Sequence, residues 1–571
     1  MGPAQLGGRH DRSGVTPHRW RALGALVVSL LVVVLDNTVL NVALKTIQVE
    51  LGATQSQLIW AVNAYSLVFA ALLFTWGVLG DRYGRRRILI LGLGLFAGAS
   101  VLSAFAQSPG QLIAARALMG VGGASVLPVT LSMITVIFPP EERGRAIGIW
   151  AAAVGGAVAL GPLLGGFLLE HFWWGSVFLI NVPIIIVGVA GILANVPESR
   201  NPDPGRLDPV GLVLSVVGLM ALVYGIQEAG WDDPMTYAWI GLGVAILVGF
   251  LVYEARTDHP SMDLSLFSIR SFSTPLAGTS LTFAALSGSL IFLAFYYQVA
   301  RGWSPLQSGA LTVPFAFGQL LTAPRSSRMV ARFGARRVIP VGLVLASTAM
   351  FLFSRLTLTT PVWALVLMPF LFGLGMGNVV APSTTRMTLA TPPERSGAGS
   401  AVQNTVRQVG ATLGVAVMSS VVAAVYSRDM AAVLASTPMP DPVRAAATDS
   451  VGATFELAAQ LGAAGGITPE QAQALRDAGI AAFMPAFHAA IWIALALLIL
   501  ALAIFLRWLP AQAEAVAWEV GGVSGTRAPG AGAVGAGAVG PAADAAELVH
   551  VVAEDPIHLG HVEDAPLEHP R

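Results

Sequence analysis

Long apolar stretches recur along this chain from near its N-terminus to Leu509. A helix needs roughly 20 apolar residues to cross the hydrocarbon core of a bilayer, and these stretches reach that length. They are continuous instead of alternating between apolar and polar residues, which indicates helices and not the strands of a membrane barrel. Only 11% of the 571 residues are charged, whereas a soluble domain carries about 25%. The sequence therefore predicts an all-α polytopic membrane protein that lies within the lipid bilayer.

The hydropathy pattern predicts fourteen membrane-spanning helices. The apolar run after Ala22 is too long for a signal peptide and lacks a small-residue cleavage site, so we expect it to be the first of them. The predicted spans are centred near Val33, Val68, Leu95, Val126, Ala157, Ile186, Val217, Leu247, Ser289, Phe317, Leu345, Phe372, Gly410 and Ala496. With this count, most of the 32 basic residues fall in loops on one side. By the positive-inside rule that side is cytoplasmic, and both termini lie on it.

An internal repeat divides the chain into two similar parts. Residues 82–88, RYGRRRI, recur as 332–338, RFGARRV, and the triplet PPE at 139–141 recurs at 392–394, each about 250 residues later. The positive-inside rule alone would also produce some similarity between arginine-rich loops, but not the shared offset. Parallel halves of this kind build carriers with a binding site near the midplane. We therefore expect six helices, two extra helices and six more helices.

The repeat also sets the expected domain boundaries. These are a cytoplasmic N-terminal tail (1–21), a first six-helix bundle (22–200), a linker with two extra helices (201–272), a second six-helix bundle (273–510) and a disordered cytoplasmic tail (511–571). An external loop (427–482) interrupts the second bundle, and it is either a folded cap or a spacer. In this loop, Thr468 and Gln471 have the spacing of a capping box that opens a short helix ending before Gly479.

Several segments carry a family resemblance, which runs from about Ala22 to Pro510. Residues 77–87, GVLGDRYGRRR, resemble the loop signature of the major facilitator superfamily. Further segments resemble signatures of its fourteen-helix drug:proton antiporter branch, namely 35–44 (LDNTVLNVAL), 161–166 (GPLLGG), 178–183 (FLINVP), 302–309 (GWSPLQSG) and 404–410 (NTVRQVG). The resemblance implies the major facilitator fold and export of drugs or antibiotics driven by the proton gradient, by a multidrug efflux pump of the cell membrane.

Three ionisable residues, Asp36, Arg116 and Arg407, lie inside predicted spans. Such residues are costly in a bilayer, so each is a functional candidate. At 1.5 Å per residue, Asp36 lies about 18 Å from the cytoplasmic end of its helix and Arg116 about 8 Å from the outer end of the fourth, so the two are at similar depth. Burial favours a neutral carboxyl group and a nearby guanidinium favours a charged one, which suits proton coupling. A static ion pair is the alternative, and Arg407 either contacts substrate or bridges to backbone.

Two further motifs predict moving parts. In the arginine-rich loop we expect Gly77, Asp81, Arg82, Gly84, Arg85 and Arg86 to form a cytoplasmic gate, with Asp81 at the positive end of another helix. In the second copy Ala331 replaces Asp81, so the gate is one-sided. In the fifth span, Gly161, Pro162, Gly165 and Gly166 predict a bend or close helix packing. Candidate cavity-lining residues are Asn37, Asn41, Asn63, Tyr65, Gln319 and Asn378.

The motifs that the sequence lacks exclude several classes of function. The chain has no cysteine, and it shows no HExxH motif, nucleotide-binding loop or other catalytic grouping, so we expect neither an enzyme nor a metal, cofactor or nucleic-acid site. The expected function is a proton-coupled antiporter that exports small amphipathic molecules, with a facilitator or importer of the same fold as the alternative. Arginine outnumbers lysine 31 to one, which together with the richness in alanine and glycine points to a bacterial source with a GC-rich genome. We expect the protein to lie in the inner (cytoplasmic) membrane. The oligomeric state is open, and we expect a monomer.

Overall fold

The computed structural model describes residues 18–53, 55–202, 208–227, 234–257, 262, 264–392, 395–435, 441–463 and 467–510. Most of the predicted N-terminal tail and all of the predicted tail 511–571 lie outside these ranges, as do Pro393 and Glu394 of the repeat. Asn41 and Pro162 lie in helices, but their side chains are outside the described part of the structure.

The described residues form nineteen α-helices and no β-strand. The first half and the extra pair comprise α1 (Arg19–Leu51), α2 (Gln55–Tyr83), α3 (Arg85–Ala104), α4 (Pro109–Gly123), α5 (Val126–Ile137), α6 (Pro140–His171), α7 (Ser176–Leu179), α8 (Asn181–Asn195), α9 (Pro209–Gln227) and α10 (Pro234–Glu254). The second half comprises α11 (Arg270–Phe295), α12 (Pro305–Ala310), α13 (Thr312–Phe333), α14 (Ala335–Phe353), α15 (Val362–Leu389), α16 (Ser396–Leu434), α17 (Asp441–Asp449), α18 (Val451–Ala463) and α19 (Pro469–Trp508). A 3-10 helix (Leu264–Ser268) precedes α11, and a π-helical turn (Tyr296–Ala300) follows it.

Twelve helical segments within the described residues are long and apolar enough to cross a membrane. One of them, Pro109–Ile137, contains both α4 and α5, which are separated by a short turn. The twelve correspond to all the predicted spans except the fifth and the tenth. Those two are α6 and α13, which are 32 and 22 residues long and pack against each other between the halves. The chain is therefore an all-helical, multi-pass membrane protein.

Turn glycines reproduce the internal repeat. Gly84 and Gly334 each end one helix and begin the next, with φ of 113° and 78°, a region that favours glycine because it has no Cβ. Gly52 and Gly302, also about 250 residues apart, have φ of 60° and 66°. The signal in the sequence for this second pair is short, a glycine followed by a hydroxyl residue two positions later and a glutamine five positions later: Gly52, Thr54 and Gln57 against Gly302, Ser304 and Gln307.

Close helix contacts repeat in the same way. A Cβ atom at Gly122 in α4 would lie 2.5 Å from the carbonyl oxygen of Gly92 in α3. A Cβ atom at Gly375 in α15 would lie 2.6 Å from the carbonyl oxygen of Gly342 in α14. Small residues let helix backbones approach closely within a bilayer. Both halves therefore use the same glycine-to-glycine contact between equivalent helices.

The arginine-rich end of the bundle is defined by the loops that join α2 to α3 and α13 to α14, with Arg82, Arg85, Arg86, Arg87, Arg332, Arg336 and Arg337. The extra pair α9 and α10 packs beside the contact of α2 with α16. Tyr224 of α9 lies with its ring centroid 5.9 Å from that of Trp60 of α2, and Ile226 of α9 packs in a cluster with Ala416 of α16. The pair thus contacts both halves.

The predicted external loop 427–482 is mostly helical. α16 continues to Leu434, and α17 and α18 follow. The predicted capping box of Thr468 and Gln471 is present, but the prediction that its helix ends before Gly479 is wrong, because α19 runs on to Trp508. Gly479 packs against Thr454 of α18, and Tyr426 of α16 bonds to the Thr454 hydroxyl at 2.6 Å. The glycine is a packing site and not a helix end, and the described part of this segment is folded against α16.

Candidate functional site

A cavity of about 380 Å³ lies between the two halves of the molecule. Its walls come from α1, α2, α5 and α6 of the first half and from α11, α13, α15 and α16 of the second. The polar lining residues are Asn37, Thr38, Tyr65, Ser66, Ser287, Gln319, Asn404, Arg407 and Gln408, and the aromatic ones include Phe69, Trp150 and Phe283. Pockets for drug-sized ligands measure about 300–1,000 Å³ and combine apolar walls with a few polar groups. The cavity therefore has the size and lining to hold a small amphipathic molecule.

The candidate lining residues divide into two groups. Asn37, Tyr65 and Gln319 line the cavity, whereas Asn63 and Asn378 do not. Asn378 is 4% exposed and donates a hydrogen bond to the Leu374 carbonyl oxygen at 3.0 Å, next to α14. Its helix presents a different face to the cavity. The side chain of Asn41, as stated above, is not described.

Arg407 of α16 is the only formally charged residue among the described residues that line the cavity. Its Nη2 donates to the Asn404 side-chain oxygen. Its guanidinium carbon lies 5.0 Å from the ring centroid of Phe283 and 5.8 Å from that of Trp150. Trp150 belongs to α6 of the first half, so Arg407 touches both halves. The side chain faces the cavity and bonds to the Asn404 side chain, and among the described residues it reaches no backbone carbonyl oxygen. The predicted bridge to backbone is therefore not seen in this conformation, and a substrate contact stays a prediction.

The structure brings Asp36 and Arg116 together. Asp36 is 2% exposed and Arg116 is fully buried, and Arg116 Nη1 donates to Asp36 Oδ2. Arg116 Nε also donates to the Ala61 carbonyl oxygen at 3.2 Å. Removing one partner from such a buried pair strands the other charge and costs about 3–5 kcal/mol. The pair therefore joins α1, α2 and α4 within the first half.

Tyr65 separates this ion pair from the cavity. Its ring centroid lies 4.4 Å from the Arg116 guanidinium carbon, and its side chain lines the cavity, whereas neither Asp36 nor Arg116 does. A molecule in the cavity consequently does not touch the Asp36 carboxylate in this conformation. Competition between a proton and a cationic substrate for Asp36 would require Tyr65 or its helix to move.

Asn181, which sequence reasoning did not select as a site residue, completes the Asp36 environment. Its Nδ2 donates to Asp36 Oδ1 at 3.0 Å and to Ser100 Oγ at 3.0 Å, and Ser100 Oγ donates to the Phe178 carbonyl oxygen at 2.8 Å. Both oxygens of the carboxylate are thus hydrogen-bonded. The available signal was an amide in an otherwise apolar stretch, within the FLINVP segment.

Asp81 holds the two halves together at the arginine-rich end. Its Oδ1 and Oδ2 accept hydrogen bonds from the backbone N–H groups of Gly397 and Ala398, each at 3.0 Å. These are at the N-terminus of α16, where the helix dipole favours negative charge. Arg85 Nη2 lies 2.7 Å from Asp81 Oδ1. The predicted contact between Asp81 and another helix N-terminus is therefore present.

Glycines allow the halves to meet closely along two seams. A Cβ atom at Gly77 of α2 would lie 2.6 Å from the Gly397 carbonyl oxygen of α16. On the other seam, a Cβ atom at Gly144 of α6 would lie 2.8 Å from Ser327 Cβ of α13. The second seam has Ala331 in place of a carboxylate, so only the first has an Asp81-type bond. The halves are thus in close contact at the arginine-rich end.

The rest of the predicted gating loop is braced within the first half. The Arg86 backbone N–H donates to Glu198 Oε1 at 3.0 Å, and Arg86 Nη1 donates to the Val196 carbonyl oxygen at 3.2 Å. Arg82 lies against the ring of Tyr83. Gly84, with its positive φ, makes the tight turn between α2 and α3. These contacts hold the loop in position without reaching the other half.

The glycines of the predicted α6 bend pack against α1 and α12. A Cβ atom at Gly161 would lie 1.8 Å from Thr38 Oγ1, and one at Gly165 would lie 3.3 Å from the Val39 carbonyl oxygen. Gly166 faces Leu306 of α12. α6 is continuous from Pro140 to His171. Close packing is therefore the role visible in this conformation, and a bend on opening stays a prediction.

This chain is similar in sequence and in fold to known membrane transporters. The model of the Major Facilitator Superfamily matches residues 26–415 and 276–545. A multidrug efflux pump, LfrA, of Mycolicibacterium smegmatis is 37% identical over 82% of this chain and 93% of its own. A puromycin resistance protein of Streptomyces alboniger is 35% identical over 72% and 82%, and the methyl viologen resistance protein SmvA of Salmonella typhimurium is 33% identical over 83% and 93%. Among solved structures, the proton:xylose symporter XylE has the same fold, with a TM-score of 0.57 at 13% identity over 86% of this chain and 96% of its own.

Proposed function

The chain belongs to the major facilitator superfamily and is a membrane transporter of its drug-exporting branch, and we propose that it is a proton-coupled antiporter. It exports small amphipathic drugs, antibiotics or metabolites across the cytoplasmic membrane by alternating access. The proton gradient is its energy source, and it uses no other cofactor.

The observation that carries the coupling proposal is the environment of Asp36. A carboxylate in a membrane-embedded helix is costly unless it is paired, and here it is paired with Arg116 and Asn181 beside the cavity. Movement of Arg116 away from Asp36 would remove that stabilisation and favour proton uptake by the carboxyl group. Restoring the pair would favour release. Asp36 is therefore the proposed proton carrier.

We further propose fourteen spans arranged as six, two and six, with both termini in the cytoplasm. Twelve helical segments in the described part of the chain are both long enough and apolar enough to cross the bilayer. α6 and α13 are also long enough and pack among them, which supports a total of fourteen. The arginine-rich end then faces the cytoplasm. The six-helix bundles 22–200 and 273–510 move as the two rocking parts, with the helices of 201–272 between them.

This conformation is proposed to be the one in which the cytoplasmic side is shut. The support is that Asp81 bonds to α16 and Gly144 packs against α13, so the halves are in contact along both seams at the arginine-rich end. Transport toward the outside would start from the opposite conformation, in which both seams are open.

The test is accumulation of labelled puromycin, tetracenomycin C and methyl viologen, compounds that appear in the names of relatives, in everted vesicles with and without an inside-acid pH gradient. We expect wild-type protein to concentrate at least one of them only when the gradient is present. Asp36→Asn should abolish this uphill uptake while leaving exchange down a concentration gradient.

Because Asp36→Asn strands the buried Arg116 charge, the double variant Asp36→Asn with Arg116→Gln provides the matched control for folding. It removes both charges together, so neither is left buried without its partner, and it should be as abundant and as monodisperse as the wild type. Uphill uptake by the double variant would eliminate Asp36 as the proton carrier. Wild-type protein that equilibrates these compounds without concentrating them would instead favour a facilitator.

A further inference from the structure

We propose that Arg407 is a subsite for the anionic group, a carboxylate or similar oxyanion, of an aromatic amphiphile held in the central cavity. This inference rests on the proposed function, because it assigns a substrate class to the same cavity. Three features of the cavity support this subsite: the charge of its lining, the donors of Arg407 that face it and the aromatic rings that flank Arg407.

The lining carries a net positive charge. Arg407 is its only formally charged residue among those described, and no Asp or Glu oxygen within the described ranges forms an ion pair with it. The nearby acids are already matched, since Asp36 pairs with Arg116 behind Tyr65 and Asp81 pairs with Arg85. A buried cation without a counter-ion is costly, and Arg407 is only 8% exposed. An anion entering the cavity would supply the missing partner.

The donors of Arg407 remain available for that anion. A guanidinium has five N–H donors in a planar fork that matches a carboxylate. Among the described residues, Arg407 uses only Nη2 in a hydrogen bond, to the Asn404 side-chain oxygen. Asn404 and Gln408 of the same helix add amide groups to this wall of the cavity. Charge-assisted bonds from such a fork are stronger than neutral hydrogen bonds.

The rings beside Arg407 suit the apolar part of the ligand. Trp150 is 1% exposed, and its indole Nε1 donates to Thr130 Oγ1 at 3.1 Å, which fixes the ring. Phe283 of α11, in the same half as Arg407, lies against the guanidinium with its ring centroid 5.0 Å from the guanidinium carbon. An aromatic group in the cavity would contact these rings while its anionic group meets Arg407. A dicationic ligand would be repelled by Arg407, because both are positively charged.

The test uses three ligands with one ring system and three charges: 1-naphthylacetate, 1-naphthylacetamide and (1-naphthylmethyl)trimethylammonium. Equilibrium dialysis with the purified full-length chain should give the tightest binding for the acid and the weakest for the ammonium ion. Arg407→Gln should weaken acid binding at least about tenfold and change amide binding less than about threefold. Arg407→Lys, which keeps the charge and loses the fork, should be intermediate.

The matched control is Arg355→Gln, which removes the same charge from the end of α14, outside the cavity lining. It should leave all three affinities unchanged. Equal loss of acid and amide binding in Arg407→Gln would make Arg407 a structural bridge, and wild-type preference for the ammonium ion would overturn the proposal even if no variant folds. Gradient-driven accumulation of puromycin, tetracenomycin C and methyl viologen is a separate readout: its absence for all three in wild-type vesicles would overturn the antiporter function, not the anion subsite.

Discussion

Neutralising Asp81 should open the arginine-rich end of the molecule. The Asp81 carboxylate accepts two backbone hydrogen bonds from the N-terminus of α16, and these bonds exist only while the two halves are in contact. Its ion pair with Arg85 lies within the first half and persists when the halves separate. Asp81→Asn therefore removes a charge whose interaction with α16 is specific to the closed conformation.

The size of the effect follows from the hydrogen bonds. A bond to a charged group contributes about 1.5–3 kcal/mol, against about 0.5–1.5 kcal/mol for a neutral one. The two charged bonds together contribute about 3–6 kcal/mol, and the one neutral acceptor that asparagine keeps contributes about 0.5–1.5 kcal/mol, so the closed conformation should lose about 2.5–4.5 kcal/mol relative to the open one. At 1.4 kcal/mol for each factor of ten, the open-to-closed ratio should rise about 60- to 1,600-fold.

Opening can be measured by maleimide labelling of a single introduced cysteine, because the chain has no cysteine of its own. Ser132 of α5 is fully buried and its hydroxyl lies 2.8 Å from that of Ser396 of α16, so this serine is shielded while the halves are in contact. In a Ser132→Cys background, the rate of maleimide labelling reports the open fraction when opening is fast. Asp81→Asn should raise that rate by the same factor as the open-to-closed ratio.

Two control variants test whether faster labelling reports separation of the halves and not unfolding or a general loss of charge. Glu198→Gln removes a carboxylate that pairs with Arg86 and Arg87 in the same loop but does not reach the other half, so labelling should stay within about twofold of the parent. Ser103→Cys, buried inside α3, reports unfolding and should label no faster with Asp81→Asn. Labelling of Ser132→Cys that is unchanged by Asp81→Asn, or raised equally by Glu198→Gln, would refute the reasoning.

The remaining predictions concern glycines at close contacts. Gly77→Val should keep the halves from closing, because a Cβ atom there would lie 2.6 Å from the α16 backbone. We expect faster maleimide labelling of Ser132→Cys and at least about a tenfold loss of transport. Gly161→Ala should lower the melting temperature by several degrees, because its Cβ would lie 1.8 Å from Thr38 Oγ1, and adding Thr38→Ala should restore part of the loss.

Matched glycines in open positions provide the controls for both. Gly94→Val in α3 and Gly156→Ala in α6 place a Cβ where no other atom lies within 4 Å. Both should keep wild-type labelling, transport and melting temperature. If Gly94→Val were as damaging as Gly77→Val, added bulk within a helix and not contact between the halves would explain the loss.

Much of this protein could be read from local sequence signals. Continuous apolar stretches predict helices because a bilayer leaves no other partner for backbone N–H and C=O groups. The repeat of the arginine-rich loop predicts two similar halves, and Gly84 and Gly334 make the same turn in each. Asp36, Arg116 and Asp81 can be recognised from the sequence as candidate functional residues, because a charge in or beside an apolar helix is costly in a bilayer.

Only the tertiary structure decided which of these residues meet the cavity. Asp36 lies behind Tyr65 and is also bonded to Asn181, so Arg407 is left as the charged residue of the lining. The helices of a polytopic protein are apolar on nearly every face, so periodicity does not reveal which face points inward. That orientation is set by close packing between helices that are far apart in the sequence, and it is visible only once the helices are assembled.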